Sequence, residues 1–472
     1  MTTSTPTTPH VAPSSLSSRT SPSTPSVGSP RRGHAPISVV VAGSLAVGFL
    51  AAAALVVAPV VPVTESALTG AVLCGFAIGW AVLAALSTRF TTQPQRWALV
   101  PAVVLGASGI ILLALGSSAH PAVDWVWPLV LLALALWMAV HIHRDLHSRA
   151  ARWLLYPAVG AMALAAVGGA YQAVGAVADA SSSSMPGRLV DVGGHRLHLN
   201  CTGTGSPTVV VEAGGGEMAA NLGWVTPVVA RDTTICVYDR AGRGWSEDAD
   251  TPQDALAIST DLHTLLHRDG VPGPYVMAGH SFGGLYTLTY AANHPDDVAG
   301  MVLIDSTSPR YGEVDGATVH PAPAGSYDIV GRVTAVISSV ARLGLGRMFA
   351  AIAPADLPPR EQAQVQASTA TAATLRSTLE EYARANASMV QAAALRDFSN
   401  KPLMVLSAGV GSAADWPQKQ ERLAALSTDS VHRVVDGASH EALVGEEAHA
   451  ATTSRAILEV VSAVRAGQPL SR

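Results

Sequence analysis

The sequence predicts an α/β fold on a mostly parallel sheet, preceded by an all-α segment suited to crossing a membrane. Three observations carry that expectation. Five apolar runs crowd into the first 180 residues, and short β-type runs alternate with helical ones from residue 187 onward. One serine stands between glycines where a strand hands over to a helix.

At 472 residues the chain is long enough for two or more units. Composition divides it near residue 180. Before that point there is no Lys, and the only acidic residues are Glu65, Asp124, Asp145 and Asp179. A net charge of −5 offers no basic footprint for nucleic acid. Cys74, Cys201 and Cys236 are too few for a disulfide scaffold and fit no zinc spacing. No metal and no cofactor is expected.

Residues 1–35 are rich in Ser, Thr and Pro and poor in large apolar side chains, so they are expected to be disordered. A transmembrane domain of about five helices is expected over 36–178, from runs at 36–62, 67–88, 97–117, 125–142 and 153–178. Each approaches the ~20 residues that span the hydrocarbon core. Arg19, Arg31 and Arg32 precede the first run. Arg89 and Arg96 lie between the second and third, and Arg144, Arg149 and Arg152 between the fourth and fifth. The other two connections carry no Lys or Arg. By the positive-inside rule the N-terminus is cytoplasmic, and five spans place the rest of the chain outside. A fifth run lying along the interface would reverse that placement. Gly75 and Gly79 form a GxxxG suited to close helix approach. His141 and His143 read as interfacial histidines beside arginines, since residues two apart do not share a helix face.

In the second half, β-type runs fall at 188–192, 195–201, 208–212, 233–238, 275–278, 300–305, 403–407 and 431–435. Helical stretches near 253–268, 283–294 and 442–465 fit between or after them. Gly279-His280-Ser281-Phe282-Gly283 follows the run at 275–278 and precedes a helix. This is G-x-S-x-G in the strand–turn–helix setting that exposes a nucleophilic hydroxyl. Ser281 needs a base, and His440, after the last strand, takes that role. His280 is the rival by adjacency, but a neighbour on such a turn points away from the nucleophile. Asp305, ending the run at 300–305, is the preferred acid to orient the imidazole. Asp415, just before Trp416-Pro417, is the alternative, with a helix N-cap as its ordinary role. The N–H groups of Phe282 and Gly215 are the expected oxyanion donors.

Taken in order, Glu212-Ala213-Gly214-Gly215-Gly216, the segment Asp239-Arg240-Ala241-Gly242-Arg243-Gly244, the serine turn and Gly437-Ala438-Ser439-His440 resemble the α/β-hydrolase family. The resemblance spans about 187–310 and 400–465. It implies an eight-stranded sheet whose first pair is antiparallel, with core parts at 187–305 and 401–467 and a helical cap at 306–400. It also implies an acid shortly after the run at 403–407, where this chain reads Ala408-Gly409-Val410-Gly411-Ser412 and has none. The second and fourth strands become neighbours, so Cys201 and Cys236 face each other, and an extracytoplasmic domain would let them form a disulfide.

The cap carries Ile329, Val333, Val336, Ile337, Val340 and Leu343 at helical spacing over 328–353. That stripe is a lid over an acyl pocket, a membrane-touching surface, or a helix packed on the cap's own core. A second helical stretch, 375–396, holds Glu380-Glu381, which reads as a solvated face. The expected activity is that of a membrane-anchored serine hydrolase (carboxylesterase or lipase-like) acting on a small-molecule or lipid ester. An acyltransferase using the same triad, or a non-catalytic receptor or scaffold with a relict hydrolase domain, is the alternative. The sequence does not give the oligomeric state.

Overall fold

The computed structural model describes residues 34–182, 184–311, 327–352 and 356–470. The tail expected over 1–35 lies outside them, apart from residues 34 and 35.

Five helices open the described chain: α1 (Ile37–Val57), α2 (Glu65–Phe90), α3 (Leu99–Leu115), α4 (His120–Asp145) and α5 (Arg149–Ser182). All five are long and apolar enough to cross a membrane. The helix α1 packs on α2 and α5, while α2 packs on α3, and α4 on α5. The GxxxG works inside the chain. A Cβ at Gly75 would lie 2.3 Å from the backbone of Ala52, and one at Gly79 would lie 2.7 Å from Gly48 Cα. Bare backbone therefore lets α1 and α2 touch. At the other end of the bundle His141 Nδ1 pairs with Asp145 Oδ2 at 2.9 Å, and its ring packs on Trp137 and Trp97.

The sheet follows. Its elements are β1 (Arg188–Asp191), β2 (Arg196–Thr202), β3 (Val209–Glu212), α6 (Thr226–Val229), β4 (Ile235–Tyr238), α7 (Ala255–Arg268), β5 (Tyr275–His280), α8 (Phe282–Asn293) and β6 (Val298–Ile304). After the cap come β7 (Leu403–Ala408), α14 (Trp416–Ala424), β8 (Ser430–Val435), α15 (Ala442–Gly445) and α16 (Glu447–Ala466). Strand order is β1-β2-β4-β3-β5-β6-β7-β8; β2 is antiparallel to both neighbours and all other pairs are parallel. The central strands are buried on both faces, as a parallel sheet covered by helices requires. Val210, Met277, Leu303 and Val405 join one core with α7 and α8, and Val211, Ala278, Ile304 and Leu406 join the other with α16. Cys201 pairs in register with Cys236, and the two form a disulfide.

The cap supplies α9 (Ile329–Ser338), α10 (Leu345–Ile352), α11 (Pro359–Thr369), α12 (Ala372–Ala383) and α13 (Ala385–Ala392). One expectation is corrected here and one alternative is removed. The single helix over 328–353 is broken: a 3₁₀ turn at Ser339–Leu343 and Gly344, with φ 77°, bend the path by 75° before α10. Nor does the stripe pack on the cap's own core. Ile329, Val333, Ile337 and Leu343 stay exposed, while Gly331, Arg332, Thr334, Ala335 and Ser338 are buried. The helix α9 therefore turns its polar side inward. Arg332 donates to the carbonyls of Val56 and Val61 at the end of α1. Arg342 binds Glu65 and Asp124, at the starts of α2 and α4, and Arg347 binds Asp179 on α5. The cap thus sits on one end of the helix bundle.

The close contact of α1 and α2 is checked by Gly75→Leu. Overpacking there is expected to cost about 1–3 kcal/mol and to lower the unfolding temperature of the detergent-solubilised protein. Gly43→Leu, whose Cβ meets nothing within 4 Å, is expected to leave it unchanged.

Candidate active site

The site is built where β3, β5 and β6 end. Strand β5 is buried throughout, and Ser281 follows it at φ 53°, ψ −121°. A side chain pays a conformational cost there that only a fixed surrounding sustains. The surrounding is fixed: Ser281 N–H donates to Ile304 O (3.1 Å), and its carbonyl accepts from Gly284 and Thr307. A Cβ on Gly279 would lie 2.5 Å from Gly283 O, and one on Gly283 only 2.3 Å from Glu212 O. The flanking glycines are thus a steric requirement of the turn.

Asp305 follows β6 with φ 43°, and its N–H donates to Leu406 O on β7 (2.7 Å). Its Oδ1 accepts from Ala408 N (3.0 Å) and Trp416 Nε1 (2.6 Å), and its Oδ2 meets His440 Nδ1 at 2.6 Å. Burial would raise its pKa, but the bonds from His440, Trp416 and Ala408 outweigh burial and hold the carboxyl below its ordinary range. With Nδ1 engaged, His440 keeps Nε2 for other work. Asp415 stays out of the site, exposed and paired with Lys419 at 2.8 Å. It stands at the N-cap position of α14 without a capping bond from its side chain. Its neighbour Trp416 is the residue that reaches the centre.

His280 is taken up elsewhere. Its Nδ1 contacts Glu217 Oε2 and its Nε2 the His440 carbonyl, both at 3.1 Å. This joins the serine turn to the histidine segment. The glycine run after β3 is equally constrained. Gly214 N–H donates to Glu217 (2.6 Å) and Gly216 N–H to Glu381 (2.8 Å). Arg240 donates to the carbonyls of Ala213 and Gly214. Among the described residues the Gly215 N–H between them makes no bond, and a Cβ at Gly215 would lie 2.9 Å from the Phe282 ring. Phe282 opens α8, so its N–H belongs to the turn whose donors lack helix partners.

Glu380 and Glu381 correct the expected solvated face, since both are buried. Glu381 binds Arg240 at 2.9 Å and also Arg243, and it accepts from Tyr286 OH at 2.7 Å. Burial opposes its charge, yet Arg240 and Arg243 hold its carboxyl below the ordinary value. Glu212 goes the other way: burial pushes it up to about 7 despite Arg240 and a bond from Tyr238 OH. Glu381 had a faint signal in the sequence, because Arg240 and Arg243 share the glycine-containing segment 239–244, whose only acid is Asp239.

The profile of the Alpha/beta hydrolase family matches residues 209–455, and the chain belongs to that family. An uncharacterized protein of Schizosaccharomyces pombe is 25% identical over 303 residues, 56% of this chain and 54% of that one. The 2-(acetamidomethylene)succinate hydrolase of Mesorhizobium japonicum is 33% identical over 134 residues, 28% of this chain and 46% of that one. An uncharacterized vacuolar membrane protein of Saccharomyces cerevisiae is 27% identical over 132 residues, 24% of this chain and 20% of that one. The chain spans about half the length, or less, of these curated relatives.

The Glu217–His280 pair sets a pH dependence. Burial disfavours both charges, but each partner favours the other: His280 is raised above its usual value and Glu217 is held down at about 2. The pair's contribution is full between roughly pH 4.5 and 6.5. It is lost as pH falls towards 2 and as pH rises through the raised His280 value. Unfolding curves of wild type and Glu217→Gln are expected to differ by roughly 1–3 kcal/mol in that window and to converge on either side.

Proposed function

We propose that this chain is a membrane-embedded serine hydrolase that cleaves a hydrophobic, lipid-like ester through an acyl-Ser281 intermediate. The observation that carries the reading is the His440 Nδ1–Asp305 Oδ2 contact of 2.6 Å beside a glycine-flanked serine turn. In this mechanism His440 Nε2 takes the Ser281 proton as Oγ attacks the ester carbonyl. The N–H groups of Gly215 and Phe282 receive the oxyanion. Collapse breaks the ester bond, and His440 returns its proton to the departing alcohol. Water, deprotonated by the same nitrogen, then attacks the acyl-serine, and His440 returns that proton to Ser281 Oγ as the acyl–serine bond breaks and the acid leaves. Each oxyanion donor contributes on the order of 10²–10³-fold, and the base on the order of 10²–10⁴-fold.

The lipid character is supported by the cap. Ile329, Val333 and Ile337 on α9 and Met348, Phe349 and Ile352 on α10 are exposed, giving an apolar face to helices that pack against α1, α2 and α5. Water would penalise such a face, and an acyl-chain boundary would not. The Cys201–Cys236 disulfide and the arginine distribution support an extracytoplasmic catalytic domain and a cytoplasmic N-terminus.

Intact cells exposed to a membrane-impermeant fluorophosphonate are expected to label the wild type and not Ser281→Ala. Labelling only after lysis would reverse the topology, and no labelling of the folded protein would overturn the reading. Asp305→Asn is expected to stay folded and to lose on the order of 10⁴-fold in kcat, measured on a chromogenic ester.

The cap has its own test. Phe349→Asp with Ile352→Asp is expected to lower kcat/KM about tenfold or more for long-chain esters presented in vesicles. A short, soluble ester should be turned over as by wild type. Equal losses on both would mean that the face has no part in substrate access.

A further inference from the structure

On the helical side of the sheet, away from the serine turn, α7 presents His263 and His267 one turn apart, facing the 3₁₀ turn Pro295–Asp297. Their Nε2 atoms stand 3.6 and 3.5 Å from Asp297 Oδ2. The three ligand atoms lie within 4.8 Å of one another. These separations are long for N–H···O hydrogen bonds. The two N···O separations match what a tetrahedral ion imposes. Metal–ligand distances of about 2.0–2.2 Å place neighbouring ligand atoms about 3.3–3.6 Å apart.

The surroundings fit a ligand set. His294 stacks on His263 at 3.8 Å between ring centres, which fixes the plane of that imidazole. Tyr290 OH donates to Asp297 Oδ2 at 3.3 Å, orienting the carboxylate as the partners of metal ligands do. His267 is more exposed than His263, and this leaves the site open to solvent and to an entering ion.

We infer that His263, His267 and Asp297 form a binding site for a divalent transition ion of the zinc class, with water completing the coordination. Two imidazoles and one carboxylate suit Zn²⁺, and also Co²⁺, Ni²⁺ and Cu²⁺, in preference to Mg²⁺ or Ca²⁺. The ion ties α7 to the turn that leads into β6. That turn lies at the start of β6, whereas Asp305 follows its end, so the length of the strand, about 20 Å, separates the ion from the catalytic centre. Its role is to clamp the fold, and it takes no part in acyl transfer.

The test uses the full chain in detergent, without a polyhistidine tag and stripped by chelator. Titration with Zn²⁺ is expected to show one equivalent bound. At about a hundredfold excess over Kd the unfolding temperature should rise by roughly 5–10 °C. Co²⁺ should give the visible absorption of a tetrahedral site. His267→Ala and Asp297→Asn are each expected to weaken binding at least tenfold. Ser281→Ala should bind as wild type does, which keeps this result separate from the catalytic reading. Folding of the variants is read from their unfolding curves without metal. Uptake that is absent, or unchanged in a His263→Ala, His267→Ala double variant, would overturn the assignment.

Discussion

A single carboxylate carried in by the cap, Glu381, anchors the architecture of the site. It is 4% exposed and meets Arg240, Arg243, the Tyr286 hydroxyl and the Gly216 N–H at once. Removing such charges from water costs several kcal/mol per ion. The cost is offset only because the carboxylate's oxygens and the two guanidiniums find partners. The consequence is geometric. Arg240 holds the carbonyls of Ala213 and Gly214, and Glu381 holds the Gly216 N–H, so the glycine run is clamped from both sides. The core alone would leave Arg243 without a counter-charge and Arg240 with Glu212, at 3.6 Å and itself pushed up to about 7. Docking of α12 and shaping of the glycine loop are therefore one event.

The same cap is tied at its other side to the apolar helices. Arg332, Arg342 and Arg347 all reach down from it, to α1, to α2 and α4, and to α5. In a soluble protein an amphipathic cap helix buries its apolar stripe. Here α9 does the reverse, burying Arg332 and Thr334 and presenting Ile329, Val333 and Ile337 outward. That inversion makes sense where the outer medium is apolar, and it agrees with the bundle on which the cap stands. The chain from helix ends through Arg342 to the cap, and through Glu381 to the glycine loop, links the proposed membrane setting to the proposed chemistry.

What the sequence made legible was local or topological. The serine turn is a contiguous motif whose glycines answer to sterics within five residues, and the facing of Cys201 and Cys236 follows once strand order is assumed. The five apolar helices were equally plain, because each carries its own signal of length and composition. What stayed hidden depends on tertiary pairing. Glu381 looks like part of any exposed helical face until Arg240 and Arg243, some 140 residues earlier, are brought against it. The apolar stripe of α9 announced a helix without saying which side would be covered, and Gly344 broke a periodicity that otherwise ran on. His263 and His267 stood one helical turn apart, but Asp297 joins them only through the packing of α7 beside the start of β6.

Asp305, the proposed acid, shows how a departure from a family pattern can be absorbed. Strands β6 and β7 are neighbours in register, with Ile304 opposite Leu406. A residue just after β6 therefore lies beside the end of β7, where the family pattern places its acid. Asp305 exploits that adjacency twice, donating its N–H to Leu406 O and accepting the Ala408 N–H on Oδ1. Its φ of 43° is an unfavourable conformation for a non-glycine residue. The two backbone bonds, with those from Trp416 and His440, over-determine it. The loop after β7 is then relieved of any need for a carboxylate, and its run of small residues is the trace left in the sequence. Trp416 follows that loop and donates to Asp305, so the loop's part in the site is a hydrogen bond where the family pattern has a charge.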